Sequence, residues 1–252
     1  MTPFLQKEER LDDLGRNGYR IIQNVKNFCF GIDAVLLAEF ASISPRARVA
    51  DLGCGNGILP LLLKARGKGG QFDALEIQEE MARLAIRNMK LNCLEEEVKV
   101  WQADLTRASQ ILGKNVFDSV VSNPPYIKIG DGLMNPRTAK AVARHEVCCT
   151  IEDVIREGGA LLKESGSLFL VYRCWRMAEV MALLPRFGLR ARRMRLVHSF
   201  SHQEGELFLL EAKKGRREGL KIEAPCVIYE SPGRFTEEVY LACHGRGRRE
   251  EE

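Results

Sequence analysis

No run of apolar residues in this sequence approaches the ~18 that a membrane-crossing helix requires, so no membrane span is expected. The opening stretch, MTPFLQKEERLDDLG, is charged where a signal peptide has its apolar core, and a cytoplasmic protein is expected. None of the cysteines (Cys29, Cys54, Cys93, Cys148, Cys149, Cys174, Cys226 and Cys243) belongs to a C-x-x-C pair. That argues against a structural zinc site; scattered thiols in a cytosolic chain are mostly small buried hydrophobes. Histidine is scarce too. His198 and His202 are four residues apart, but the glutamate that H-E-x-x-H needs after the first histidine is replaced by Ser199. A solvated loop and no metal are the expectation there. Strong charge of one sign is also missing: the net charge is only +4.

What is present is the material of a sizeable core, with 45% hydrophobic residues, in a repeating order. Residues 1–30 read as irregular, with Gly15, Asn17 and Gly18 as turn signals. Asp33 is placed to cap a helix over AVLLAEFASI, which Ser44-Pro45 ends. From Arg48 short apolar strands alternate with amphipathic helices. RVADLG, residues 71–76, 98–102, 118–122 and 167–172 read as strands, and residues 79–91, 151–163 and 175–184 as helices. Residues 190–197 and 206–212 have no helical pattern between them and should be antiparallel neighbours. Repeated β-α units predict an α/β fold: a seven-stranded, mostly parallel sheet with helices on both faces and a C-terminal antiparallel hairpin. The tail contains a strand-like CVIYE and a short helix with Thr236 as its cap.

The first strand runs into Asp51-Leu52-Gly53-Cys54-Gly55-Asn56-Gly57. Glycines let a backbone approach a ligand closely and allow φ > 0, and the loop feeds a helix N-terminus. The spacing is G-x-G-x-G, not the dinucleotide G-x-G-x-x-G, and the preceding aspartate would repel a diphosphate. It suits a ligand carrying an ammonium and a sulfonium, which S-adenosylmethionine does. Glu76 ends the second strand, where a carboxylate can accept two ribose hydroxyls, and Asp104 follows the third, where it could take an adenine amino group. Each acid alone is more commonly a cap or loop-start residue. Three at successive strand ends, beside a glycine loop, converge on the carboxyl edge where open α/β sheets bind ligands.

The fourth strand delivers Asn123-Pro124-Pro125-Tyr126 to that same edge. Such a sequence can be plain loop punctuation. Beside the glycine loop it acquires a chemical reading. An exocyclic amine is a poor nucleophile because its lone pair is delocalised into the ring. The Asn123 side-chain oxygen and the Pro124 carbonyl can accept its hydrogens, two prolines fix the backbone, and Tyr126 offers a flat face to a base. Arg186, Arg190, Arg192, Arg193 and Arg195, followed by Lys213-Lys214-Gly215-Arg216-Arg217, read either as a charge-guarded edge strand or as a phosphate-binding patch.

Together D-x-G-x-G-x-G, Glu76, Asp104 and N-P-P-Y resemble class I S-adenosylmethionine-dependent N-methyltransferases. FCFGIDAVLLAEFA (28–41), ARHE (143–146), RMRLVHSF (193–200) and LFLLEAKKG (207–215) narrow the resemblance to the bacterial tRNA1(Val) (adenine(37)-N6)-methyltransferase family. It runs from about Gly18 to Gly215. It implies a Rossmann-like methyltransferase sheet and methyl transfer from S-adenosylmethionine to N6 of the adenine beside a tRNA anticodon, by a monomeric or homodimeric cytosolic enzyme. It further implies that Asn123, Pro124, Pro125 and Tyr126 are catalytic. Asp51, Gly53, Gly55, Gly57, Glu76 and Asp104 would bind the cofactor, with Phe30, Gly31 and Asp33 closing over its methionine end. Arg144 and His145 would lie over the target base, and Arg190, Arg192 and Arg193 would grip tRNA. Residues 1–45 would form an N-terminal extension, 46–213 the methyltransferase domain and 214–252 a charged tail.

Other readings stay open at this point. The same motif serves glutamine amides in release-factor methyltransferases, although those carry a separate helical N-terminal domain and only about 45 residues precede the core here. Ribosomal-RNA guanine-N2 and DNA-adenine methylation use the same chemistry, but the chain leaves no room for a DNA target-recognition domain. A non-catalytic S-adenosylmethionine- or RNA-binding protein would not need N-P-P-Y. A nicotinamide dehydrogenase is disfavoured by the glycine spacing and Asp51.

Overall fold

The computed structural model describes residues 5–24, 30–125, 149–215 and 219–248. Its centre is a sheet in which strands β3 (Arg48–Leu52), β4 (Gln71–Glu76), β5 (Val98–Gln102), β6 (Phe117–Ser122) and β7 (Leu162–Arg173) run parallel. The hairpin of β8 (Leu189–His198) and β9 (Gly205–Lys214) inserts antiparallel beside β7. Two dipeptide strands from the tail, β10 (Lys221–Ile222) and β11 (Cys226–Val227), add parallel to β8. The order is β10-β8-β9-β7-β6-β3-β4-β5, with β11 also on β8. The seven expected strands are therefore all present, and the tail widens the sheet to nine.

Strand residues alternate between two cores, as a pleat with period two requires. Val49, Val121, Phe169 and Leu209 pack with helices α1 (Ile32–Phe40) and α2 (Ile58–Ala65) on one face. Ala50, Val120, Leu168 and Leu210 pack on the other with α4 (Ala108–Leu112), α5 (Ile151–Leu161) and α6 (Met177–Leu183). Helix α3 (Glu79–Leu91) follows β4 and buries Met81, Leu84, Ala85 and Met89, the stripe its spacing predicts. The order in which strands are added reverses at β3: β4 and β5 lie on one side, β6 and β7 on the other. A crevice opens at such a reversal, at the carboxyl ends of the strands.

Two segments differ from expectation. Residues 9–24 are not irregular but a hairpin of β1 (Glu9–Asp13) and β2 (Arg20–Asn24). Gly15, Asn17 and Gly18 take φ between 53° and 68° in its turn. An isolated two-stranded hairpin is marginal in water. This one buries Ile21 and Ile22 completely, each burial contributing roughly 1.5–3 kcal/mol, and Arg87 of α3 grips Glu9 through both guanidinium ends at 2.7 Å. The region after Lys214, read as a charged tail with a strand-like CVIYE and a short helix, packs onto the sheet. Besides β10 and β11 it forms β12 (Tyr229–Ser231), β13 (Arg234–Phe235) and α7 (Glu237–His244), capped as expected by the Thr236 hydroxyl accepting from Val239 N. The Arg16 and Arg66 guanidinium groups donate to Leu241 O and Ala242 O at 2.8 and 2.6 Å, joining α7 to the hairpin turn and to α2.

Candidate active site

The glycine loop sits at the crevice. Gly53 N and Cys54 N both donate to Leu75 O at 3.0 and 2.9 Å, and Gly57 N to Cys54 O at 2.9 Å, which curls the chain over the end of β4. Gly53, Gly55 and Gly57 adopt φ of 80°, 56° and 83°, the left-handed region that other residues avoid. The reasons for glycine differ. A Cβ on Gly57 would lie 2.6 Å from Met89 Cε and 3.3 Å from Ala85 Cβ, so this position lets α3 pack closely. A Cβ on Gly53 or Gly55 would meet nothing nearer than 3.8 Å; those two keep the backbone bare above the crevice.

Around the loop stand the acids. Glu76 is buried; its Oε2 accepts from Gly55 N at 2.9 Å and its Oε1 from Gln78 N at 2.8 Å. Each oxygen retains a lone pair for a further donor. Asp51 is fully buried, and neither carboxylate oxygen has a hydrogen-bond partner among the described residues. Burial, and then the neighbouring Glu76, push its carboxyl well above the usual range. The Cys54 thiol is pushed up too, by burial first and then by Asp51 and Glu76, so it stays protonated and is no nucleophile. Native proteins rarely leave buried carboxylates unsatisfied. Two adjacent acids, one with no partner, under a bare glycine backbone fit a ligand that brings a cation and hydroxyls. S-adenosylmethionine brings both. Asp104 Oδ1 accepts from Thr106 N at 2.8 Å, capping the short turn after β5; its other oxygen is the one a ligand could use.

Asn123, Pro124 and Pro125 follow β6 directly, and β6 is the neighbour of β3. Asp51 is paired with Val121, so Gly53 and Asn123 each stand two residues beyond that row. The Ser122 hydroxyl donates to Leu52 O at 2.7 Å and ties the two strand ends together. Helix α1 points its C-terminus away from this edge, where Lys68 Nζ binds Ala38 O and Glu39 O. Its N-terminus, with Phe30, Gly31 and Asp33, is therefore directed toward the crevice. The helix begins two residues earlier than expected, at Ile32, with Gly31 as cap residue. Asp33 lies inside the first turn, its Oδ1 accepting from Ala34 N at 2.9 Å. A Cβ on Gly31 would be 2.8 Å from that same oxygen, so glycine makes room for the carboxylate. Phe30 N donates to Gln23 Oε1 at 3.0 Å.

Tyr126, Arg144 and His145 lie outside the described residues. Arg190, Arg192 and Arg193 do not join the crevice. Register aligns Arg190 with Lys213, Ser167, Ser119 and Val49, in the amino-terminal half of the sheet, and Arg192 sits in a bulge with its guanidinium on Gly219 O. Arg193 is engaged by the protein itself. Its guanidinium binds Glu211 at 3.0 Å, Glu223 at 3.3 Å, Phe40 O at 2.7 Å and Ser42 Oγ at 3.0 Å, and lies 4.0 Å from the Phe40 ring centroid.

One residue that positions the site was missed. Asn88 is fully buried; its Oδ1 accepts from Ile22 N, and its Nδ2 donates to Ile22 O and to Asn56 O in the glycine loop. It joins hairpin, α3 and loop. The signal was available: Asn88 is a polar residue seven positions after Met81, on the apolar stripe of α3.

The sequence pattern of the methyltransferase small domain family matches residues 31–188, more than half of the chain. The tRNA1(Val) (adenine(37)-N6)-methyltransferase of Aeromonas hydrophila is 28% identical over 208 residues, 82% of this chain and 85% of its own. That of Parabacteroides distasonis is 32% identical over 142 residues, 56% of this chain and 58% of its own. Among solved structures, a predicted O-methyltransferase from Agrobacterium tumefaciens superposes with a TM-score of 0.67 at 28% identity, covering 85% of this chain and 97% of its own. Methanocaldococcus jannaschii Trm5 in complex with adenosine shares the fold, with a TM-score of 0.56 at 16% identity over 84% of this chain and 58% of its own. The chain belongs to the methyltransferase small domain family, and it is an S-adenosylmethionine-dependent methyltransferase.

Proposed function

We propose that this enzyme methylates the exocyclic N6 of an adenine in tRNA, the one beside the anticodon, and does so in the cytoplasm. The observation that carries the reading is the placement of Asn123-Pro124-Pro125 one strand from the glycine loop, an arrangement suited to an amine acceptor. The relatives named for adenine-N6 methylation of tRNA support the choice of amine.

S-adenosylmethionine, when bound, supplies an electrophilic methyl group on a cationic sulfur. The chain supplies position and charge. Asp51, buried and without a hydrogen-bond partner among the described residues, would hold the ammonium end. Glu76 would accept the ribose hydroxyls and Asp104 Oδ2 the adenine amino group. Asn123 Oδ1 and the Pro124 carbonyl would accept the hydrogens of the target amine, localising its lone pair. Two prolines hold that carbonyl at little ordering cost, and Ser122 fixes the strand end beneath it. No strong base is needed at Asn123, because the nitrogen can lose its proton after the bond has formed. Tyr126 would stack on the base, with Arg144 and His145 over it.

The test is transfer of labelled methyl from S-adenosylmethionine into total tRNA, total protein and ribosomal RNA in parallel, with nucleoside digestion of labelled RNA. Label in tRNA recovered as N6-methyladenosine is the expected result. Label confined to protein would move the amine to a glutamine side chain and overturn the reading.

A further inference from the structure

The carboxyl edge of the sheet continues past the catalytic loop onto strands with no assigned role. Next to β6 comes β7, then the start of β9, then the end of β8. Trp175, just beyond β7, is 61% exposed. An exposed indole would ordinarily be mobile, but this one is held. The Arg176 guanidinium lies 5.7 Å from its ring centroid. Arg176 is itself buried, bonded to both Glu179 oxygens at 2.8 and 2.7 Å and to the Tyr172 hydroxyl. A buried, fixed cation beside an exposed aromatic ring sets its attitude at little further entropy cost.

The surface is continuous beyond it. A Cβ on Gly205 would lie in ordinary contact with Cys174 Sγ at 3.4 Å and His198 Nε2 at 3.6 Å, so both side chains border the start of β9. His198 Nδ1 donates to Gln203 O at 2.7 Å and Ser199 Oγ to Glu206 at 2.5 Å, so the β8–β9 loop is pinned at both ends. On it the exposed His202 ring stacks on Phe200, centroids 5.8 Å apart and planes at 25°, and Phe200 packs against Tyr229 at 5.6 Å. The spacing of His198 and His202, read from sequence as a solvated loop, thus belongs to a braced ring platform.

We propose that Trp175, with the His202–Phe200 pair beyond it, stacks unpaired bases of the RNA that flank the methylated adenine. This rests on the tRNA reading above and deepens it. Pairing of Ser122 with Leu170 puts Asn123 level with Val171. Trp175 therefore stands one strand over and roughly 10 Å farther along, within reach of a neighbouring nucleotide. The nearby charges among the described residues offer no free cation: Arg173 faces Glu206 at 3.8 Å, and the exposed Glu204 adds a negative charge. That favours the flat face of a base over a phosphate. Stacking is sequence-tolerant, and loss of one platform weakens binding about five- to hundredfold.

The experiment is steady-state methylation of tRNA by the full chain. Trp175→Ala should raise the KM for tRNA about tenfold, with kcat and S-adenosylmethionine affinity within about twofold, and Trp175→Phe should restore most of the loss. The slope of log KM against log salt should not change, since no phosphate contact is removed. The chain has two tryptophans, and Trp101 is bonded through its indole N–H to Asp73. In Trp101→Phe, fluorescence reports Trp175 alone, and an RNA hairpin with an adenine in its unpaired loop should quench it. A wild-type enzyme that methylates tRNA, with no quenching and an unchanged KM for Trp175→Ala, would overturn the platform and leave the tRNA reading standing. Altered sedimentation of Trp175→Ala with unchanged KM would overturn it in favour of contact with a second copy. Wild-type label in protein only would remove the parent reading and the platform together.

Discussion

Asp51 and Arg193 stand on the same row of the sheet, Asp51–Val121–Phe169–Glu211–Arg193, and both are withdrawn from water. Their bonding is opposite. Arg193 meets two carboxylates, a carbonyl, a hydroxyl and an aromatic ring. Asp51 meets no donor among the described residues. Burying an ionic group is costly unless it is paired and hydrogen-bonded. The fold satisfies Arg193 from its own atoms and leaves Asp51 for a partner from outside. Changes at the carboxyl edge should therefore remove function and spare stability; changes on the β8 edge should do the reverse.

The largest effect expected is from Asn123→Ala. Loss of one positioned polar contact in a transition state costs on the order of 10³-fold in kcat. Equilibrium dialysis should show S-adenosylmethionine binding within about twofold of wild type. Equal loss of turnover and cofactor affinity would make Asn123 part of the pocket wall and not of the amine site. Next comes Arg193→Ala. Removing one partner of a buried pair typically costs about 3–5 kcal/mol. Here a fifth of the arginine side chain is exposed, and Glu211 keeps Ser167 at 3.1 Å and Lys213 at 3.7 Å, so about 2–3 kcal/mol is expected. That lowers the melting temperature by roughly 4–12 °C, with the KM for tRNA unchanged. A raised KM without a melting shift would break the comparison and return Arg193 to RNA binding.

The same contrast explains how much was legible in advance. The glycine loop, the strand-end acids and the parallel strands could be read because each depends on local spacing: φ > 0 at Gly53 and Gly55, and apolar runs of the right length. Arginine clusters could not be resolved, since the sequence shows the donors but not the acceptors. Glu211, Glu223 and Phe40 O come to Arg193 from three separate segments. The N-terminal hairpin was lost for a related reason. Its turn signals were visible, but the stability of ERLDD and RIIQN comes from Asn88 and Arg87, more than 60 positions away. The closing of the tail onto β8 is likewise long-range: CVIYE reads as strand-like, but its partner strand cannot be read from it.

The smallest effect, and the one that probes the comparison most directly, is expected from Asp51→Asn. A hydrogen bond to a charged group contributes about 1.5–3 kcal/mol, so affinity for S-adenosylmethionine should fall about ten- to hundredfold. Stability without cofactor should move the other way, and with pH. Burial and Glu76 raise the native carboxyl above its usual value, whereas in the unfolded chain it titrates near 3.9. Between those two values the native state binds more protons than the unfolded one, so stability falls as pH rises. The contribution is fully present below about pH 4 and is lost as pH climbs to the native value. The asparagine variant carries no such slope. Its cofactor-free melting temperature should match wild type near pH 4 and exceed it increasingly toward neutrality. Saturating S-adenosylmethionine should reverse that order, because wild type gains more from binding. A variant that melts below wild type at pH 8 without cofactor would mean that Asp51 already has a structural partner, and the distinction from Arg193 would fail.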